Sequence, residues 1–148
     1  MKHLTYSLLM ILLFINTVYA ETEFATPKPS IDNPRQIVFP LMKADKDSIN
    51  HLLSYVNNVM KFYRPENSEF AIVAYSQGIK ALLKTQDKMI IKRIEALMTY
   101  DVEFIICGNT MRTLKVKDTE VLHDVEKVTA GLVELIERQK MGWTYIRP

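Results

Sequence analysis

Apolar and polar positions follow two alternating patterns along the chain, and these patterns predict strands and helices in turn. Short, largely apolar runs predict strands, and they fall at residues 36–41, 70–75, 102–107, 125–128 and 143–146. Between them, apolar residues recur at helical spacing and predict helices that end near residues 63, 98 and 140. Strands that alternate with helices are typical of an α/β fold with a mostly parallel sheet.

The first twenty residues predict an export signal rather than part of the fold. Lys2 gives a basic start, and the apolar run at residues 8–15 is shorter than the roughly 20 residues of a membrane-spanning helix. Cleavage after Ala20 is expected, which would place the protein in the periplasm or outside the cell. The alternative, a retained N-terminal anchor, requires a longer run. Residues 21–34 mix proline with small and polar residues and predict a flexible leader to one domain at residues 35–148.

Charge and motifs exclude several classes of function. The 19 basic and 17 acidic side chains give a net charge of only +2, which disfavours nucleic acid as a partner. No later apolar run reaches the length of a membrane span, so no membrane contact is expected once the signal is removed. The histidines and the cysteine lack zinc-ligand spacing, and no glycine-rich nucleotide motif occurs, so the sequence predicts neither a metal nor a cofactor.

The candidate chemistry centres on Cys107, the only cysteine in the chain. It ends the third predicted strand, at the edge of the sheet where ligands of parallel α/β proteins collect. Gly108 and Asn109 follow and are typical of a helix start, where unpaired N–H groups favour a thiolate, and Arg112 adds a positive charge. The alternative is a buried, inert cysteine, because free cysteine is among the most buried residue types. The spacing does not decide between these two readings.

A rival nucleophile lies in the sequence AYSQG, which resembles the serine elbow of α/β hydrolases. Ser76, Asp101 or Asp118, and His123 would keep the order of a catalytic triad. Only one strand precedes this elbow, however, and no glycine-rich oxyanion segment is present, which disfavours a hydrolase. The simpler reading is a turn in which Gly78 meets a backbone requirement and Ser76 caps the next helix.

Three longer stretches, VAYSQGIKALL, FIICGNTM and VEKVTAGLVELIERQKMGWTYIRP, resemble the DsrE/DsrF-like family. The resemblance extends over nearly all of residues 35–148. It implies a three-layer α/β/α sandwich around a five-stranded parallel sheet and assembly as a homo-oligomer, a trimer or a hexamer. In the sulfur-relay members of the family, a cysteine at the end of the corresponding strand carries sulfur as a persulfide to a partner thiol. Cys107 matches that position.

The resemblance therefore implies that Cys107 accepts and donates sulfur, or exchanges disulfides, with a protein thiol partner. This chemistry would be its catalytic activity, supported by substrate-binding residues in the two loops beside it: Gln77, Gly78, Gly108, Asn109 and Thr110. Two features depart from the relay members, namely the segment GNTMRTLKV after the cysteine and the expected export. The alternative is a non-catalytic, oligomeric binding or assembly module in which the cysteine is buried.

Overall fold

The computed structural model describes residues 22–148, so the expected export signal at residues 1–20 lies outside the described part of the chain. Strands and helices alternate as predicted, and every strand of the five-stranded sheet is parallel to its neighbours. The strands are β1 (Arg35–Leu41), β2 (Ser68–Ala74), β3 (Glu103–Cys107), β4 (Glu126–Val128) and β5 (Thr144–Tyr145). The helices are α1 (Lys46–Tyr63), α2 (Lys88–Met98), α3 (Gly108–Leu114) and α4 (Gly131–Lys140).

The strand order is β4-β3-β2-β1-β5. The chain moves outwards from β1 through β2 and β3 to β4, then crosses the whole sheet through α4 and places β5 on the other side of β1. The direction of winding therefore reverses between β1 and β5, which makes this pair the topological switch point of the sheet.

Two apolar layers cover the two faces of the sheet and confirm the three-layer sandwich. The larger layer joins alternate strand residues, such as Phe39 and Ile106, to the inner faces of α1 and α2. The smaller layer joins the other strand residues, such as Val73 and Ile105, to Leu135 of α4 and to Trp143. Among residues 22–148, no helix has both the length and the apolar character that a bilayer span requires.

Two helix starts carry aspartate caps. The Asp45 carboxylate accepts a hydrogen bond of 2.8 Å from the Ser48 N–H at the start of α1. The Asp87 carboxylate accepts bonds from the Met89 and Ile90 N–H groups at the start of α2, as the sequence predicted. Each cap satisfies backbone donors that have no partner within the helix, which is why the two helices begin at these positions.

The structure differs from the sequence-based expectation mainly at short elements. The expected strand over residues 143–146 keeps only two ladder residues in β5, because Trp143 instead packs into the smaller apolar layer and Ile146 bonds to β1 only through its N–H. The segment after β2 forms a 3-10 helix at Ser76–Leu82, and GNTMRTL forms the helix α3.

The segment that leads into β1 contacts the domain. The Arg35 guanidinium donates hydrogen bonds to the Ala25 and Pro27 carbonyls at 2.7 and 2.9 Å. The ring of Phe24 packs against the rings of Phe62 and Tyr63, with centroids 5.6 Å away in both cases. Residues 24–27 of the predicted leader thus lie against the domain, with Phe24 on the end of α1.

A partly buried arginine, Arg138, joins the far end of α4 to the sheet. The Arg138 guanidinium donates two hydrogen bonds to the Glu103 carboxylate at the start of β3, at 3.0 and 2.5 Å. It donates a third to Glu134 at 2.7 Å and lies 4.4 Å from the centre of the Trp143 ring. Charge-assisted bonds with this paired geometry fix orientation as well as distance, so α4 is held at a set position across the sheet.

Gly78 makes the closest backbone approach in the fold. A Cβ atom at this position would lie 2.0 Å from the carbonyl oxygen of Leu41, which ends β1. The same carbonyl accepts a hydrogen bond of 3.0 Å from the Tyr75 N–H, so the segment cannot move away without losing that bond. A glycine is therefore required where the chain leaving β2 passes over the end of β1.

We predict that Gly78→Ala destabilises the protein by about 3 kcal/mol, because the added methyl group overlaps backbone atoms rather than a flexible side chain. Urea unfolding followed by circular dichroism measures the change in the free energy of unfolding. Gln77→Ala, one residue earlier and exposed, is the matched control and should shift stability by no more than about 0.5 kcal/mol. Equal stability of the two variants would contradict the packing role of Gly78.

Candidate functional site

The carboxyl ends of β2, β3 and β4 bring three loops together around Cys107. Cys107 ends β3 and is the residue that precedes α3. The pairing of Ala74 with Ile106 places Tyr75 and Cys107 side by side on the next positions of β2 and β3. Val128, the last residue of β4, pairs with Cys107 on the other side. The sequence-based expectation that loops would converge on Cys107 is therefore met.

Hydrogen-bond donors surround the sulfur atom of Cys107. Burial raises the pKa of the Cys107 thiol and is the largest single influence on it. The nearby Gly131 N–H, Thr110 hydroxyl and Thr110 N–H favour the thiolate and lower the pKa. Together these donors outweigh burial, so the pKa lies below its ordinary value. The Asn109 N–H contributes least, because it donates mainly to the Thr129 carbonyl at 3.0 Å.

Thr110 also links the loop after β2 to the site. Its hydroxyl oxygen accepts a hydrogen bond of 3.3 Å from the Ser76 N–H. Ser76 has a φ of +52°, a left-handed conformation that is uncommon for residues other than glycine. The same hydroxyl lowers the pKa of the Cys107 thiol. Ser76 does not cap the 3-10 helix, contrary to the prediction.

The start of α4 reaches the sulfur because Gly131 has no side chain. A Cβ atom on Gly131 would lie 3.2 Å from the Cβ of Cys107 and 3.2 Å from a methyl group of Val73. The residue before the helix, Ala130, offers no side-chain cap, so the first N–H groups of α4 have no such partner there. Two helix starts, those of α3 and α4, thus point positive dipole ends at one sulfur atom.

Cys107 is largely covered, with a relative exposure of 5 %. Its surroundings include apolar atoms of Val73 and backbone and hydroxyl donors of α3 and α4. The thiol is therefore neither an open nucleophile nor a sulfur sealed among aliphatic side chains only. It is a shielded atom in a polar cradle, and the exposed residues Ser76, Gln77 and Thr129 lie on the loops around it.

The other residues predicted for the site have different positions. Gln77 is exposed, and its side chain forms no hydrogen bond with residues 22–148. Gly78 is buried against the end of β1, and Gly108 is buried with the Val128 carbonyl oxygen 3.0 Å from where a Cβ would be. Both glycines therefore serve close packing.

Asn109 is exposed and accepts a hydrogen bond from Arg112, so Asn109 does not cap α3 and Arg112 is directed towards Asn109.

The triad considered for a hydrolase is not assembled. Ser76 follows β2, whereas Asp101 precedes β3 and His123 precedes β4, so they occupy opposite edges of a parallel sheet. With a rise of about 3.3 Å per residue, Ser76 and Asp101 are separated by roughly 20 Å along the strands.

Asp118, the other acidic candidate for the triad, forms an ion pair with Lys127 at 2.7 Å. His51 and His123 are both exposed, and no group of three potential metal ligands occurs among residues 22–148.

Two residues of the site escaped the sequence-based reasoning. Gly131 was read only as part of a characteristic C-terminal stretch, although a glycine directly between a strand and a helix is typical of close approach to a ligand or a neighbouring strand. Tyr75 was read as the last apolar residue of a strand. It is half-buried beside Cys107, and burial and the nearby Tyr145 phenol raise its pKa while the charge of Arg147 lowers it.

The fold and the cysteine site together define a small parallel α/β protein with a cradled thiol at the end of a central strand. The model of the DsrE/DsrF-like family matches residues 38–148, and the chain belongs to this family. A protein of unknown function from Methanobacterium thermoautotrophicum, MTH1491, is 29% identical, with a TM-score of 0.71. The match covers 76% of this chain and 97% of that one.

A second solved structure shows the same fold. The ychN protein of E. coli is 18% identical, with a TM-score of 0.67 over 77% of this chain and 99% of that one. No curated protein matches the sequence.

We predict that Thr110→Val raises the pKa of the Cys107 thiol, because the variant removes a hydroxyl donor and leaves the burial unchanged. The rate of iodoacetamide alkylation measured against pH reports this value, since only the thiolate reacts. In the unmodified protein the midpoint should lie below that of a free thiol. Thr113→Val, one turn further along α3 and exposed, is the control and should leave the midpoint unchanged.

Proposed function

We propose that this protein is an exported carrier of sulfane sulfur that uses Cys107 as its acceptor. Membership of the DsrE/DsrF-like family supports a role in sulfur relay. The single observation that carries the proposal is the packing of the starts of α3 and α4 around Cys107, where nearby donors lower the pKa of the thiol despite burial. The short N-terminal apolar run supports export.

The proposed reaction has two balanced steps. The Cys107 thiolate attacks the outer sulfur of a donor persulfide, R–S–SH, so that a new S–S bond forms on Cys107 and the S–S bond of the donor breaks. The donor leaves as the thiolate RS⁻, and no external oxidant is needed. A thiolate of a partner protein then attacks the outer sulfur on Cys107, which releases the Cys107 thiolate and returns the protein to its starting state.

The same donors would serve every anionic form of the sulfur. The Thr110 hydroxyl and the Gly131 N–H favour negative charge, whether it is a thiolate before transfer or a persulfide anion afterwards. A persulfide is longer than a thiol by one atom, so the outer sulfur would extend towards the exposed loop residues Ser76 and Gln77. This position suits transfer to a partner.

The 5 % exposure of Cys107 also supports a second candidate, the non-catalytic assembly module with a buried cysteine. The two candidates predict different reactivity in the native state. A carrier must expose its thiol during local motions of the loops, whereas a buried cysteine reacts only when the protein unfolds.

We predict that incubation with glutathione persulfide increases the mass of the native protein by one sulfur atom. Intact-protein mass spectrometry measures the increase, and a reducing agent should reverse it because the new bond is an S–S bond. Cys107→Ala is the control and should gain nothing. Native protein that gains no sulfur, and that takes up a thiol reagent only after denaturation, would support the assembly module instead.

We further propose that the protein forms a homo-oligomer in which copies of the chain meet at α4. The support is the family, whose members are known to oligomerise, and an apolar surface on α4. Three large apolar side chains of α4 are each more than half exposed: Leu132, Val133 and Ile136. A helix of a monomer normally presents polar residues to water, so this surface is suited to a second protein copy.

We predict that the double variant Leu132→Glu, Ile136→Glu dissociates the oligomer, because two carboxylates would have to be buried at the contact. Size-exclusion chromatography with light scattering measures the mass in solution. Met89→Glu, which replaces a similarly exposed apolar residue on α2, is the control and should leave the mass unchanged. A monomeric unmodified protein would contradict the assembly.

A further inference from the structure

A second candidate site lies at the topological switch point of the sheet. In open α/β sheets, ligands bind outside the carboxyl ends of the strands where the winding reverses, because the helices on either side diverge there. In this protein that position is the end of β1, between α1 and the residues that follow β5. A cleft of about 220 Å³ occupies it.

The inner part of the cleft is apolar. Leu41, the last residue of β1, and Leu52 of α1 are both buried and line it. Tyr55, one turn further along α1, forms a half-exposed wall. The volume is smaller than the roughly 300–1,000 Å³ of pockets for drug-sized molecules, so the cleft suits a ligand with only a few carbon atoms.

Basic groups surround the same cleft. Lys43, His51 and Arg147 line it, and the Ser48 side chain lies among them. Neither Lys43 nor Arg147 forms an ion pair with any residue in the described range 22–148. These side chains come from three separate segments: the loop after β1, the first turns of α1 and the residues after β5.

No aspartate or glutamate side chain lines the cleft. The acidic group nearest in sequence to Lys43 is Asp45, and its carboxylate caps α1 by accepting the Ser48 N–H at 2.8 Å. That bond lowers the pKa of Asp45 more than the charge of Lys43 does. Asp45 is therefore committed mainly to the helix, and Lys43 and Arg147 give the side chains that line the cleft a net positive charge.

We propose that this cleft binds a small organic anion, a molecule with one carboxylate, sulfonate or phosphate group on a short apolar chain. The apolar chain would contact Leu41 and Leu52, and the anionic group would lie between Lys43 and Arg147. This pairing of an apolar interior with two cations from different segments selects an anion over a neutral molecule of the same shape.

The anion site is separate from the proposed sulfur chemistry. Cys107 ends β3, two strands away from β1, which corresponds to about 10 Å across the sheet. Cys107 also lies on the α4 face, whereas the cleft lies beside α1. Binding in the cleft thus requires no reaction at Cys107, and either proposal stands if the other fails.

The test uses ¹⁵N-labelled protein purified after expression of the full chain. Butyrate, propanesulfonate and propyl phosphate are titrated separately, with n-butanol as the neutral probe, and amide shifts are followed by NMR. We expect saturable shifts at residues 42–55 with an affinity in the millimolar range for at least one anion. The three anions distinguish carboxylate, sulfonate and phosphate recognition.

Matched variants test the role of charge. Lys43→Gln and Arg147→Gln should each weaken anion binding about threefold, and the double variant about tenfold, because exposed ion pairs make modest contributions. Lys92→Gln removes the same charge from the exposed surface of α2, away from the cleft, and should leave the affinity unchanged. Dispersed amide spectra identical in pattern to that of the unmodified protein verify that each variant is folded.

Three results would overturn the proposal. The first is the lack of saturable shifts with all three anions. The second is binding of n-butanol as tight as that of butyrate, since this would make the cleft an apolar site without charge selection. The third is an equal loss of affinity in Lys92→Gln and in the double variant, which would reduce the effect to the net charge of the protein.

Discussion

The close contact between the start of α4 and the end of β3 is the interaction on which the thiol site depends. Gly131 sits against both Cys107 and Val73, at distances that leave little space for a side chain. Helix α3 begins directly after Cys107, so its start lies near the sulfur in any case. The start of α4 comes near the sulfur only through the contact of Gly131. A local requirement for glycine, placed 24 residues after the cysteine in the chain, therefore determines the electrostatics of the site.

Burial and nearby hydrogen-bond donors have opposite effects on the pKa of the Cys107 thiol, and this explains how the cysteine can be covered and still acidic. Burial alone would favour the neutral thiol, and helix starts alone would usually lie in water, where their effect is weak. Here the donors reach a covered atom, so they act where the dielectric screening is lower. The Thr110 hydroxyl adds to this arrangement and also accepts a hydrogen bond from the Ser76 N–H, which links the turn after β2 to the site.

The sequence was sufficient to predict the order of strands and helices and the place of Cys107. Continuous apolar runs such as FIIC have no other stable position than a covered strand, and Asp87 followed by a periodic apolar face specifies a helix start. The sequence could not show which residues meet across loops. The contact of Gly131 with Cys107 and the packing of Gly78 on Leu41 depend on the strand order, which periodicity does not contain. The predicted length of β5 was too great, because Trp143 and Ile146 are residue types typical of strands. In the structure Trp143 packs in the apolar layer under α4 instead.

The anchoring of α4 at both ends limits how the thiol can become accessible. At one end of α4, Gly131 packs against the last residue of β3. At the other end, Arg138 donates hydrogen bonds to Glu103, the first residue of the same strand. A shift of α4 along its axis would break the hydrogen bonds between Arg138 and Glu103 and the contact of Arg138 with the Trp143 ring. The helix is therefore held in place beside the thiol. On the β2 side the turn is held on Leu41 at Gly78, so access to the sulfur is left to the exposed residues Ser76 and Gln77, of which Ser76 donates a hydrogen bond of 3.3 Å to Thr110. Helix α4 and Gly78 thus fix two sides of the site. Access to the thiol depends on the hydrogen bond between Ser76 and the Thr110 hydroxyl, the same group that lowers the pKa of the thiol.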